Sequence, residues 1–143
     1  MGGQNRFPVT IAGFQMIELT ELERAVLEKL LAGEHPLLDQ LRGQLARCRV
    51  TRREMTGHGF FTYLDVDDAP TAADVRVHYG DVVAEIEGMA HGAGFELYIE
   101  HGRLSMLEGY GYDDPWPTTI TGYTLRYSTG DERDWGALKK VLG

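Results

Sequence analysis

Residues 92–116 read GAGFELYIEHGRLSMLEGYGYDDPW. Two apolar runs, 95–99 and 104–107, flank His101-Gly102, a pair suited to a two-residue turn that needs positive φ. Such a turn sets Glu100 opposite Arg103, Ile99 opposite Leu104, Leu97 opposite Met106 and Phe95 opposite Glu108. One face then collects Phe95, Leu97, Ile99, Leu104 and Met106, and the other Glu96, Tyr98, Glu100, Arg103 and Ser105. A three-residue loop would send Leu104 and Met106 to the polar face, because a one-residue slip inverts a whole strand. The pattern therefore predicts a hairpin closed by two residues.

Upstream of this hairpin the periodicity is first helical, then alternating. Thr20-Glu21-Leu22-Glu23 is a capping box, and Leu22, Val26 and Leu30 share a helical face broadened by Leu19, Leu27 and Leu31. Gly33 is the expected stop. Pro36 suits the first turn of a second helix that carries Leu37, Leu41, Leu45 and Cys48 on its apolar side. Gly43 weakens that helix by about 1 kcal/mol relative to Ala. Helices are thus expected over 20–32 and 36–48. Residues 50–55 and 60–66 read as paired strands around Thr56-Gly57-His58-Gly59, with Phe60, Thr62, Leu64 and Val66 on one face. VRVHYGDVVAEIEG, at 75–88, reads as a second hairpin on Gly80-Asp81. It would gather Val75, Val77, Tyr79, Val82, Ala84 and Ile86 and set Arg76 opposite Glu85. A short strand at 8–11 comes before the helices. A strand at 123–127 precedes a closing helix, with acids Asp131, Glu132 and Asp134 at its start and Lys139 and Lys140 near its end. The expectation is a single α+β domain over 1–143. Two N-terminal helices pack on a mainly antiparallel sheet of six to seven strands, with a short C-terminal helix.

Composition agrees with that class. The 43% hydrophobic and 25% charged fractions are ordinary for a globular domain. Eighteen glycines in 143 residues, against roughly 7% on average, favour turns and strands over a bundle. No apolar window is long enough to span a membrane, and the first 13 residues lack secretory or myristoylation character. Cys48 is the only cysteine, so no intrachain disulfide forms and a cytoplasmic setting is expected. Net charge is −8, which argues against nucleic acid or anionic membrane as partner and for a basic protein. Arg42, Arg47, Arg49, Arg52 and Arg53 stand without an acid between them, which leaves −13 on the remainder. That strip is an anion site or a decorated edge strand; arginines at an edge deter aggregation.

Catalytic signatures are sparse. Ser105 and Ser128 are the only serines, and neither sits in a nucleophile elbow. Five histidines lack metal-ligand spacing, although His58, His91 and a carboxylate could converge if their loops shared one end of the sheet. No metal or cofactor is expected. Gly92-Ala93-Gly94 leads into a strand rather than a helix, so it is no phosphate cradle. Glu108, facing Phe95 on the apolar side, would be a tuned or binding carboxylate, or would be paired at the rim. A β-bulge near it would turn Glu108 outward and Leu107 inward. The loop YGYDDPWP is the leading surface candidate. Tyr110, Tyr112 and Trp116 are hot-spot residue types, Asp113 and Asp114 suit a basic partner, and Pro115 and Pro117 stiffen the segment. The opposing reading folds Trp116 back as a lid on the sheet.

The hairpin, with the leading LTELERAVLEKLLAGEHPLLDQLRGQLARCRV, resembles a family of small bacterial proteins. In that family a Leu-rich helical start precedes strands and a "DGRLS-LE-Y-Y" hairpin. The likeness spans 19–117 and is most specific over 102–112, with His101 where an Asp is usual. It implies a cytoplasmic, bacterial α+β domain and transfers no catalytic residues. On the residues themselves, the leading expectation is a non-enzymatic binding or regulatory protein. Its acidic aromatic loop would engage a protein partner in the manner of a toxin-neutralising (immunity-like) protein. The alternatives are a small metal- or carboxylate-dependent enzyme using Glu108 and turn histidines, and a homodimer or larger homo-oligomer joined through the outer sheet face.

Overall fold

A computed structural model describes residues 9–11, 14–16, 18–67 and 74–143. Strands β1 (Val9–Ile11) and β2 (Phe14–Met16) pair with each other ahead of the helices. Helix α1 (Glu21–Leu30) starts at the expected box: the Thr20 hydroxyl accepts from Glu23 N at 3.1 Å, and Glu23 Oε1 accepts from Thr20 N at 2.8 Å. Helix α2 (Pro36–Leu45) is capped by His35, whose Nδ1 accepts from Leu37 N at 3.1 Å. It ends before Cys48, which opens strand β3 (Cys48–Met55) instead of closing the helix.

Strands β4 (Gly59–Val66), β5 (Val77–Tyr79), β6 (Val82–Ile86), β7 (Ala93–Glu100), β8 (Arg103–Gly111) and β9 (Tyr123–Tyr127) complete a seven-stranded antiparallel sheet. Its order is β3-β4-β8-β7-β6-β9, with β5 also on β7. Helix α3 (Trp135–Leu142) starts on an Asp134 cap. Helix α1 lies against β6 and β7, α2 against β8, and α3 against β5. Buried leucines of α1 and α2 join Phe95, Leu97, Ile99, Leu104 and Leu107 in one core.

The β7–β8 turn is as expected: His101 and Gly102 have φ of 54° and 69°, and Glu100 faces Arg103. The expected register fails two residues further on. Ile99 pairs with Leu104, but Tyr98 pairs with Met106, which leaves Ser105 as an extra, bulged residue. Beyond it Leu97 faces Leu107, Glu96 faces Glu108 and Phe95 faces Gly109. Leu104 and Leu107 are three apart, so no regular strand can bury both; one inserted residue does. Met106 and Glu108 consequently point outward, and the pairing of Glu108 with Phe95 is corrected. Gln44, buried in α2, fastens this turn from below. Its Nε2 donates to Gly102 O at 2.8 Å, and its Oε1 accepts from Leu104 N at 3.0 Å.

The expected second hairpin does not form. Val77, His78 and Tyr79 pair with Ile99, Tyr98 and Leu97, and Val83 and Ala84 continue along the same edge of β7. Gly80-Asp81 is a break between collinear strands. Both arrangements return Tyr79 and Val82 to the same face, so alternation cannot separate them. Glu85 therefore pairs with Arg126, at 2.6 Å, and not with Arg76. A side chain at Gly80 would run into the carbonyl oxygen of Phe95, which is why the break holds glycine. Asp81 turns toward buried Arg133 and accepts from its Nε at 2.7 Å and Nη2 at 3.0 Å. The same guanidinium donates to Ala32 O at 2.6 Å and Leu30 O at 2.8 Å, joining the end of α1 to the sheet. Its central carbon lies 4.8 Å from the Tyr127 ring centre.

Candidate functional site

Among the described residues the three helices each add leucines to the core on one face of the sheet, and the side chains that alternate with that core form the other face. Tyr63, Met106, Tyr98 and His78 make one row across four strands. Phe61, Glu108 and Glu96 make the next, and Tyr110, Gly94, Val83 and Arg126 a third. Most of these side chains are half-buried by their neighbours alone. Aromatic rings dominate the surface. Tyr110 and Tyr112 meet edge to face at 5.7 Å and lie over Gly94, where a Cβ would come within 2.7 Å of the Tyr112 hydroxyl. Strand glycine beneath an aromatic ring leaves that ring a flat seat. His78 stacks on Tyr98 at 5.2 Å, and Arg52 covers Tyr63 at 4.4 Å.

Glu96 and Glu108 sit directly opposite each other in the middle of this face. Glu96 holds His78 Nδ1 at 2.6 Å, and Glu108 accepts from the Tyr98 hydroxyl at 3.3 Å. Burial, then the charges of Glu108 and Glu96, push the Tyr98 phenol upward. Burial likewise raises Tyr110. Both phenols remain hydrogen-bond donors at neutral pH.

The residues of the YGYDDPWP loop divide between the two sides. Tyr110 and Tyr112 belong to the open face, and Asp113 is exposed beside them. Asp114 accepts from His91 N at 2.8 Å and approaches His91 Nδ1 at 3.3 Å, tying two loops together. Trp116 turns to the helix side and packs edge-on against Phe60 at 5.3 Å. There it borders a pocket of about 440 Å³ with Leu22, Met55, Ile120 and Tyr123. A wider groove of about 1000 Å³ runs from Tyr112 past His91 and Glu87 to Arg126 and is continuous with the open face.

Strand β3 is a sheet edge, and its Arg49 and Arg53, like Arg42 of α2, are engaged within the chain. Arg49 pairs with Asp65 and Asp67, Arg53 with Glu23, and Arg42 with Asp39 and the carbonyls of Leu31 and Gly33. Glu23 is buried yet fully engaged, since it also takes the Thr62 hydroxyl at 2.5 Å. The loops of His58 and His91 do share one end of the sheet: Gly111 N donates to His58 O, and Tyr112 N to Gly92 O. Among the described residues no group of three His, Cys, Asp or Glu side chains is placed to hold a metal ion. Burial lifts the Cys48 thiol to about 11, as suits an unreactive core neighbour. No helix among the described residues is long and apolar enough to cross a membrane.

Sequence reasoning missed the burial of Glu23, Gln44 and Arg133, and the half-buried Asp81, which bond to partners 30 or more residues away. It also missed Phe61 and Tyr63 as members of the face, although their alternation with Phe60 and Thr62 carried that signal. No protein-family model, curated protein or solved structure matches the chain. The resemblance carried by the hairpin accordingly supplies nothing about function.

Proposed function

We propose that the chain is a non-enzymatic binding protein, acting in the cytoplasm, that takes a basic protein partner on the helix-free face of its sheet. One observation carries this reading: Phe61, Tyr63, Tyr98, Tyr110 and Tyr112 gather on a single face around the two carboxylates Glu96 and Glu108. Tyrosines supply rigid contact area and hydrogen bonds at low entropic cost, and such anchors dominate binding energy. Tyr110, Tyr112 and Asp113 form one margin of the contact. Asp114 and Trp116 hold the loop in place from behind. An acidic binder neutralising a basic target, as an immunity-like protein does, fits the net charge of −8.

The test uses the immobilised chain to isolate a basic partner and then measures that pair. Tyr98→Ala and Tyr110→Ala should each weaken binding by about 2 kcal/mol or more, and association should slow steeply with added salt. Trp116→Phe should leave affinity unchanged. A partner insensitive to both tyrosine changes would overturn the reading.

A further inference from the structure

We propose that Glu96 and Glu108 together receive one arginine side chain of the protein partner; this rests on the binding reading above. The two carboxylates are directly opposed on β7 and β8, an arrangement that like charges disfavour. Among the described residues neither is paired with an arginine or lysine, whereas arginines of this face already have carboxylate partners. Arg126 is held by Glu85, and Arg49 by Asp65 and Asp67. Among the described residues the polar contacts of the pair are His78 on Glu96 and the Tyr98 hydroxyl on Glu108. Glu108 thus meets no cation among the described residues, and Glu96 meets only the His78 ring, so the pair keeps room for an incoming cation.

The surroundings select the kind of cation. Tyr98 and Tyr110 flank the pair, and Phe61 stands opposite Glu108. A planar guanidinium stacks on such rings while donating to two carboxylates at once; a compact, strongly hydrated ammonium does this less well. A second copy of the chain is a poor occupant, because two-fold pairing of this face sets like charge against like. Charge complementarity therefore favours a basic protein that presents arginine.

The direct experiment is an NMR titration of the whole chain with N-acetyl-arginine amide. Saturable millimolar shifts at Glu96, Glu108, Tyr98 and Tyr110 are expected, with E96Q/E108Q weakening the probe by about tenfold. N-acetyl-lysine amide should bind more weakly. Absence of saturable binding, shifts centred elsewhere, equal binding of lysine, or an undiminished response in E96Q/E108Q would overturn the assignment. Since the wild-type titration stands alone, a variant that fails to fold does not spoil the test. For the isolated partner, E96Q/E108Q should also cost about tenfold or more in affinity, and E85Q little. If the tyrosine variants lose the partner while E96Q/E108Q keeps it, the binding reading survives and the arginine seat does not.

Discussion

Arg133 offers the sharpest test of how the fold is held together. Its side chain is 3% exposed and makes two bonds to Asp81, one to Ala32 O and one to Leu30 O. Arg133→Met keeps much of the apolar stem but strands the Asp81 carboxylate, itself only 25% exposed, without its cation. The Ala32 carbonyl loses this donor too, while Leu30 O retains the Tyr79 hydroxyl at 2.8 Å. Removing one member of a buried pair costs roughly 3–5 kcal/mol, a large share of the about 5–15 kcal/mol typical of a domain. With a urea m-value of about 2 kcal/mol/M, the midpoint should fall by roughly 1.5–2.5 M. Asp81→Asn should also destabilise, because it leaves the guanidinium buried against a neutral partner. Replacing both removes both charges, so the double variant should be less damaged than the sum by about 2 kcal/mol or more. Urea unfolding followed by tryptophan fluorescence measures all four proteins. A loss under about 1 kcal/mol for Arg133→Met, or strict additivity, would mean that the Arg133–Asp81 pair does not join α1 to the sheet in this way.

Three further outcomes follow from the same structure. Gly80→Ala should destabilise by about 1–3 kcal/mol, since its methyl meets the Phe95 backbone. Gly43→Ala, with nothing within 4 Å, should stabilise by about 1 kcal/mol, and urea midpoints give both signs. Burial raises the Cys48 thiol from 9.0 to about 11, so the folded state favours the proton. Its contribution to stability is full below pH 9.0 and is lost as pH rises through about 11. Iodoacetamide labelling of the native chain should accelerate only toward that upper value; a rate that levels off by pH 9.0 would contradict the burial.

Much of the architecture was legible from local pattern. The Thr20 box, the leucine stripes, the His101-Gly102 turn and the alternation of 60–66 each report on neighbours a few residues away. What escaped was parity. Ser105 and Gly80-Asp81 each shift the alternation by one residue, and a bulge does this as well as a turn does. A hairpin and an interrupted strand therefore look alike in sequence. The spacing of Leu104 and Leu107 was the clue that an extra residue had to be accommodated. The candidate site was legible as a tyrosine-rich loop but not as a surface. Tyr63 and Tyr98 join Tyr110 and Tyr112 only through strand order β4-β8-β7, and that order is a long-range property. Trp116 parts from the tyrosines because it follows Asp113-Asp114-Pro115 around the end of the sheet, where Trp116 N donates to Gly57 O at 2.8 Å.

Hydroxyl-radical footprinting of the chain, free and bound to its isolated partner, reports which side of the sheet the partner covers. Protection should fall on Tyr63, Tyr98, Met106, Tyr110 and Tyr112, with Met55 and Trp116 unchanged. Protection of Met55 and Trp116 while those five stay reactive would place the partner on the helix side and contradict binding on the helix-free face.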